Sequence, residues 1–283
     1  MAELIDGKKV SEHVRREIAE GIEKLKSDTG IVPGLAAVLV GNNPASEIYV
    51  RNKRKACSTS GIYSEEHKLP EETTEEELLQ LINKLNNDPK IHGILVQLPL
   101  PKQINDTRIL RSVSPLKDVD GFHPQNVGLL LEGNPRFISC TPHGILKMLD
   151  FYNIPIEGKE AVIIGRSNIV GKPVSILLLH RNATITICHS RTHPLEEVTR
   201  RADILVAAIG RANFVTKDMV KDGVVVIDVG INRDEEGKLT GDVDFEGVKE
   251  KASYITPVPG GVGPMTISML LWNTLESAKL SSN

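Results

Sequence analysis

Tyr49-Val-Arg-Asn-Lys53 puts a phenol and an amine one helical turn apart, so the two share a face if the segment is helical. Gln97 is the lone amide in the apolar run Gly93-Ile-Leu-Val-Gln-Leu-Pro-Leu-Pro101. Two carboxylates, Asp118 and Asp120, sit in Lys117-Asp-Val-Asp-Gly-Phe-His123. An amine could move a proton, and the buried amide could be bonded to that amine or to a ligand. Each also has a plainer reading. Arg51, Arg54 and Lys55 surround Lys53 and could make that helix a solvated basic surface. A buried amide needs only some partner, because leaving it unpaired costs on the order of 2 kcal/mol. Asx-turn bonding alone would explain either aspartate.

A second chemical signal lies in Ala161-Val-Ile-Ile-Gly-Arg-Ser-Asn-Ile-Val-Gly171, where an apolar strand runs into a glycine and a second glycine opens a helix. This is the turn that cradles a pyrophosphate in a dinucleotide-binding βαβ unit. Gly165 permits the sharp exit, and the N–H groups at the helix start favour the anion. The spacing departs from G-x-G-x-x-G, with Ser167 at the middle glycine's place and one extra residue in the loop. The next strand, Ala183 to Cys188, is followed by His189-Ser-Arg-Thr-His193. An NAD site carries an acid at about this point, ~20 residues past the first glycine, for the ribose 2′-hydroxyl. Here Ser190 and Arg191 stand instead, and Arg166 rises from the glycine loop. A 2′-phosphate is matched by guanidinium and hydroxyl donors, so NADP is the expected cofactor.

The elements that must position these groups alternate between strand and helix, which predicts parallel sheets covered on both faces. In the first half, helices are expected at Ser11–Ser27, from Pro44 to about Ser60 and at Glu71–Asn87, with buried strands at Gly34–Val40 and Gly93–Leu98. The Gly-, Asn- and Pro-rich stretch from Val119 to about Thr141 reads as a domain boundary, followed by a helix to about Tyr152. The nucleotide unit is expected as strand 160–164, helix 171–181, strand 183–188, helix 194–201 and strands 203–208 and 223–229. A Gly/Pro-dense loop, Pro257-Val-Pro-Gly-Gly-Val-Gly-Pro264, leads into a last helix, Met265 to about Leu280. The expected fold is α/β in two domains with a cleft between them. Residues 1–139, completed by helix 265–283, form a three-layer catalytic domain, and 140–264 form a Rossmann-type parallel-sheet domain.

The 283 residues carry 34 basic and 37 acidic side chains, a net charge of −3. That balance argues against a nucleic-acid footprint and suits an enzyme of small anionic ligands. No apolar run approaches the ~20 residues of a membrane helix, and the first residues lack a signal-peptide pattern, so a cytoplasmic protein with no membrane partner is expected. Cys57, Cys140 and Cys188 lie far apart, as reduced thiols would. Cys188, His189 and His193 lack a fourth ligand nearby, so no metal is expected.

Tyr49-x-x-x-Lys53, Val96-Gln-Leu-Pro-Leu-Pro101, Lys117-Asp-Val-Asp-Gly-Phe, Gly165-Arg-Ser-x-Ile-Val-Gly171 and Pro257-Val-Pro-Gly-Gly-Val-Gly-Pro-Met-Thr266 occur in this order over nearly the whole chain. With them the sequence closely resembles the bifunctional methylenetetrahydrofolate dehydrogenase/methenyltetrahydrofolate cyclohydrolase family, in its bacterial and archaeal short form. The resemblance implies that tetrahydrofolate derivatives are the substrates. It implies NADP+-dependent oxidation of the methylene bridge, then hydration of the methenyl cation to 10-formyltetrahydrofolate, in one cleft of a homodimer. It implies that Lys53 is the acid/base of the hydration and that Gln97 orients it. Asp120 would hold the pterin, Tyr49 would stack on it, and the turn at Gly260 and Gly261 would approach the aminobenzoyl part. Gly165, Arg166, Ser167 and Ser190 would take the phosphates, and the backbone at Ile231 would meet the nicotinamide end. Two rivals stand beside this reading. A dehydrogenase of another small substrate has no use for Lys53, Gln97 and Asp120 together, and a non-catalytic sensor has no use for the lysine.

Overall fold

The computed structural model describes residues 2–234 and 236–281. In chain order its first half holds β1 (Glu3–Leu4), α1 (Gly7–Thr29), β2 (Gly34–Val40), α2 (Pro44–Thr59), β3 (Tyr63–Leu69), α3 (Glu75–Asn87) and β4 (Gly93–Val96). Three helices follow, α4 (Asp106–Ser112), α5 (Pro124–Leu131) and α6 (Cys140–Phe151). The second half holds β5 (Glu160–Ile164), α7 (Gly171–His180), β6 (Thr184–Cys188), α8 (Leu195–Thr199), β7 (Ile204–Ala207) and β8 (Val225–Asp228). It closes with β9 (Asn232–Arg233), β10 (Leu239–Thr240), α9 (Phe245–Lys249), β11 (Tyr254–Ile255) and α10 (Val262–Leu280). The chain separates into two compact units. One is His13–Cys140 with the described residues from Ile267 onward; the other is Thr141–Thr266 with the described residues up to Glu12.

The unit built on His13–Cys140 centres on a parallel sheet in the order β3-β2-β4. All seven residues of β2 are buried, as its unbroken apolar run requires of a central parallel strand. The chain leaves β2 through α2 to reach β3 on one side, then returns through α3 to β4 on the other. That reversal opens a crevice at the carboxyl ends of β2 and β4, the usual ligand position in an open α/β sheet. α3 packs Leu78, Ile82 and Leu85 against Ala36, Val38, Val40, Ile94 and Val96. This helix starts four residues later than the expected Glu71, because Thr74 and Glu77 form a reciprocal capping box. The Thr74 hydroxyl accepts from the Glu77 N–H at 3.3 Å, and the Thr74 N–H donates to the Glu77 carboxylate at 2.8 Å. Such a cap is worth about 1 kcal/mol and decides where the helix begins.

The stretch 119–141, expected as a boundary, holds α5 and the fully buried Phe137. His123 caps α5, its ring nitrogen accepting from the Gln125 N–H at 3.1 Å, and Pro124 supplies the first turn. Asn273 of α10 ties this stretch down by donating to the Val119 and Ile138 carbonyls at 2.8 and 2.9 Å.

The second unit carries a six-stranded sheet in the order β1-β11-β8-β7-β5-β6, every neighbouring pair parallel. β5 lies between β6 and β7, so the chain reverses direction there and leaves a switch point at the carboxyl ends of β5 and β7. The core joins Val162, Ile164, Leu205, Val226 and Ile255. β1 is an addition to the expected boundaries, which grouped residues 1–139 together. Glu3 and Leu4 pair with Tyr254 and Ile255, so the N-terminal strand completes the edge of this sheet. A two-residue strand buries too little to be legible from its own pattern.

Candidate functional site

Tyr49 and Lys53 fall on one face of α2, as their spacing predicts. Lys53 is 8% exposed, which sets it apart from exposed Arg51, Arg54 and Lys55. Its Nζ donates to Gln97 Oε1 at 3.1 Å. Gln97 lies just beyond β4, and its own N–H continues the ladder to Val38 O at 2.9 Å. Gln97 Nε2 donates to Leu98 O at 2.7 Å, so the amide is turned with its oxygen toward the lysine. Each half of the amide is therefore used, and the amine is held at the crevice between β2 and β4. Tyr49, one turn away, is 37% exposed, and the burial it does have raises its phenol above the ordinary value.

The two aspartates of the motif divide cleanly. Asp118 is buried and accepts from the N–H groups of Phe122 and His123 at 3.2 and 2.8 Å and from Asn126 Nδ2 at 2.8 Å. It is the turn-forming residue. Asp120 is half-buried, and the Cys140 thiol donates to its Oδ1 at 4.0 Å. Burial pushes the Asp120 carboxyl up to about 6, with Lys53 pulling it down and Asp118 adding to the rise. Lys53, Gln97 and Asp120 are thus brought into one neighbourhood, and among the described residues no N–H hydrogen-bonds to Asp120, which keeps acceptor capacity. The Cys140 thiol is raised well above its ordinary value by burial, and burial pushes Cys57 on α2 up to about 12. Neither is a nucleophile near neutral pH.

In the other unit the glycine turn sits at the sheet's switch point. Gly165 has φ +121°, and a Cβ there would lie 2.3 Å from Ala208 O at the end of β7. A Cβ on Gly171 would lie 2.2 Å from Gly165 O. Only glycine lets the turn close against the sheet at both points. Ser167 occupies the place of the missing middle glycine by folding its hydroxyl back: its Oγ accepts from the Val170 and Gly171 N–H groups at 3.1 and 3.3 Å. Two of the helix-start donors expected for a phosphate are therefore already bonded to Ser167, whose hydroxyl proton is left to give. Ile164 pairs with Cys188, so Arg166 and Ser190 each stand two residues past the ends of adjacent strands. Both are exposed, as is Arg191. The end of β6 carries no carboxylate, and the donor set of a hydroxyl and guanidinium groups fits a nucleotide with a ribose phosphate.

Ile231 is 52% exposed and follows β8 at the carboxyl end of the sheet. Beside it are two buried aspartates that motif reading passes over, Asp228 and Asp242. Asp228 accepts from the N–H groups of Gly230 and Asp242 at 2.9 Å each and of Val243 at 3.0 Å. Burial pushes its carboxyl up to about 6, against the pull of those three N–H groups, and Asp242 adds to the rise. Asp242 accepts from Ile209, Gly210 and Arg211 N–H groups at 2.7, 3.0 and 2.8 Å and from Asn232 Nδ2 at 2.9 Å. Their signal in the sequence is two glycine–aspartate pairings, Asp228 with Gly230 and Gly241 with Asp242, separated by a hairpin. Gly260 and Gly261 also lie in this unit, away from any regular strand; Gly260 has φ +107°, and the Gly261 carbonyl lies against Gly7 at the start of α1.

Two family profiles match the chain. The tetrahydrofolate dehydrogenase/cyclohydrolase catalytic domain matches residues 5–120, and the NAD(P)-binding domain of the same family matches residues 139–282. The bifunctional protein FolD of Pelobacter propionicus is 59% identical over 279 residues, covering 99% of this chain and 98% of that one. The crystal structure of the bifunctional FolD methylenetetrahydrofolate dehydrogenase/cyclohydrolase of Campylobacter jejuni is 55% identical and superposes with a TM-score of 0.97, covering 99% of each chain. The Trypanosoma brucei methylenetetrahydrofolate dehydrogenase-cyclohydrolase, solved with NADP cofactor and inhibitor, is 40% identical with a TM-score of 0.94, covering 99% of this chain and 98% of that one.

Proposed function

The chain belongs to the tetrahydrofolate dehydrogenase/cyclohydrolase family, and from that premise we propose how its residues divide two reactions between them. The enzyme oxidises 5,10-methylenetetrahydrofolate to 5,10-methenyltetrahydrofolate with NADP+ and hydrolyses the product to 10-formyltetrahydrofolate. The observation that carries the division is the buried Lys53 amine bonded to an amide oxygen whose orientation is itself fixed.

Hydration of the methenyl cation requires a base, because the attacking water loses a proton as its oxygen bonds to the bridge carbon. Lys53 Nζ takes that proton. A neutral amine has two N–H bonds and one lone pair. Gln97 Oε1 engages one N–H, which fixes the rotation of the amine and so the direction of the lone pair. The cationic substrate beside it favours the neutral amine, since like charges disfavour each other. When the bridge carbon parts from its ring nitrogen, the ammonium gives its proton to that nitrogen. The amine so restored takes the proton of the bridge hydroxyl as the formyl C=O forms, so one proton is released over the whole hydration. Asp120 holds the pterin by accepting from its adjacent N–H donors, which is why its carboxylate is not spent on the protein. Tyr49 lies flat against the ring system. The Gly260–Gly261 turn receives the aminobenzoyl part, where side chains would crowd it.

NADP+, when bound, supplies the hydride acceptor. Gly165, Arg166, Ser167 and Ser190 would hold its phosphates, and the backbone at Ile231 would meet its nicotinamide end. The oxidation asks the protein for positioning and for no proton acceptor, because the product is a delocalised cation. The unit built on His13–Cys140 serves as the folate domain, and the unit built on Thr141–Thr266, with β1 at its sheet edge, as the NADP domain. The enzyme works as a homodimer in the cytoplasm; light scattering on the purified protein tests the first and fractionation the second. Among the described residues no helix is long and apolar enough to cross a membrane.

The test is a spectroscopic assay of the purified protein with methylenetetrahydrofolate and either NADP+ or NAD+, following reduced nucleotide and the methenyl intermediate together. Faster turnover with NADP+ and decay of the intermediate above its spontaneous rate are expected. A preference for NAD+, or decay no faster than in buffer, would overturn the assignment.

A further inference from the structure

Asp228 and Asp242 take no part in the steps above, yet they are 3% and 0% exposed and sit at the carboxyl end of the sheet, where the cofactor site lies. Two buried carboxylates side by side are costly unless their oxygens are engaged. Here they receive seven donors between them. Six are backbone N–H groups, three on Asp228 and three on Asp242, and the seventh is Asn232 Nδ2. The donors do not come from one turn. Residues 209–211 follow β7, Gly230 and Asn232 follow β8 and enter the β9–β10 hairpin, and Asp242 and Val243 leave it. The Thr256 hydroxyl accepts from the Asp228 N–H at 2.7 Å and ties the pair to the strand end of β11.

The glycines of these segments are reciprocal. A Cβ on Gly230 would lie 2.3 Å from Asp242 Oδ1, and a Cβ on Gly241 would lie 1.8 Å from Asp228 Oδ2. The glycine near each aspartate therefore makes room for the carboxylate of the other. Ile231 stands between Gly230 and Asn232, two residues that each bond to one of the carboxylates.

We propose that Asp228 and Asp242 form a carboxylate clasp that positions the Ile231 backbone and the 209–211 loop for the nicotinamide end of the cofactor. This rests on the reading that Ile231 meets that end. The clasp acts on hydride transfer alone, through the placement of the acceptor, and has no role in hydration. Positioning of this kind is what a displacement of about 1 Å destroys, at a cost of about 100-fold in rate.

The experiment uses the full-length Asp242→Asn and Asn232→Ala variants. An asparagine at 242 keeps one acceptor oxygen and turns an NH2 group toward amides that also donate. Asn232→Ala removes a single donor, so it answers the question even where Asp242→Asn does not fold. Amide hydrogen exchange without cofactor should show residues 209–211 and 230–232 exchanging faster in both variants, by about 10-fold or more in Asp242→Asn. Exchange in β2 and β4 should be unchanged. Dehydrogenase kcat/KM should fall about 10- to 100-fold in Asp242→Asn and less in Asn232→Ala. Cyclohydrolase activity on methenyltetrahydrofolate should stay within about twofold of wild type, a split that a general loss of structure would not produce. Equal loss of both activities, or loosened loops with intact dehydrogenase, would overturn the clasp. NADP+ should also slow exchange at 230–232 in the wild type; its failure to do so would remove the Ile231 reading, and the proposal with it, by a separate arm.

Discussion

Asp228 accepts from three backbone N–H groups, whereas Asp120 accepts from none among the described residues, and burial pushes both carboxyls up to about 6. The same elevated value arises in two different settings. At Asp228 full burial and a second carboxylate outweigh a saturated set of donors. At Asp120 the ring of donors is missing, and Lys53 is the group that lowers it. A saturated carboxylate has its acceptor capacity spent on the fold, and an unsaturated one has capacity left for a ligand. Asp118, two residues from Asp120, makes the same distinction at close quarters: its oxygens are taken by Phe122, His123 and Asn126.

The sharpest way to break this comparison is to truncate each side. Asp228→Ala leaves three buried N–H groups without an acceptor, which costs about 1–3 kcal/mol each. After the relief of the buried charge, a net loss of about 3 kcal/mol should appear in urea unfolding. Asp120→Ala should leave the unfolding midpoint at or above that of wild type near neutral pH and weaken folate binding by about 100-fold, read by calorimetric titration, with NADP+ binding unchanged. If Asp120→Ala unfolds the protein, or weakens both ligands equally, Asp120 belongs with the scaffold.

A smaller effect is expected at the nucleotide turn. Arg166→Ala should raise the KM for NADP+ about 10- to 100-fold, the worth of one charge-assisted contact, while NAD+ turnover stays nearly constant. Equal weakening of both nucleotides would place Arg166 outside the ribose-phosphate site.

The smallest effect is on stability against pH. With its folded value raised from 3.8 to about 6, the Asp120 carboxyl stabilises the fold in its protonated form. That contribution is complete below about pH 4 and is lost as pH rises through about 6. Asp120→Asn resembles the protonated form at every pH. It should match wild type below about pH 4 and exceed it by on the order of 1–2 kcal/mol above about pH 6. A constant difference across that range would mean that burial of the charge is not what raises Asp120.

Much of this architecture is legible in the sequence. β2 follows from seven consecutive residues without a polar side chain; the apolar run says only that the Gln97 amide has some partner, and the resemblance to the family names Lys53 as that partner. The turn at Gly165 follows from strand, glycine and helix in succession. β3 is not legible, because Ser64-Glu-Glu-His-Lys68 reads as surface: an edge strand needs burial on less of its length. α5 is masked by the glycine, asparagine and proline around it, since its cap is the histidine His123 rather than a serine or aspartate. Asp228 and Asp242 lie 14 residues apart and meet only because the β9–β10 hairpin folds between them. Nothing in local periodicity reports such a contact. Ser167 is visible as a departure from the glycine pattern, but its bonds to Val170 and Gly171 depend on the turn's path.

The central claim is that hydration depends on a base in the His13–Cys140 unit while hydride transfer depends on positioning. Lys53→Met keeps the length and helix propensity of the side chain and removes the base. The decisive measurement follows methenyltetrahydrofolate decay, corrected for spontaneous hydrolysis, alongside NADPH formation in this one variant. Cyclohydrolase activity should fall by about 100-fold or more while dehydrogenase activity remains measurable and the methenyl intermediate accumulates. Near wild-type decay of that intermediate in a folded Lys53→Met protein would contradict the account and leave Lys53 as a structural amine.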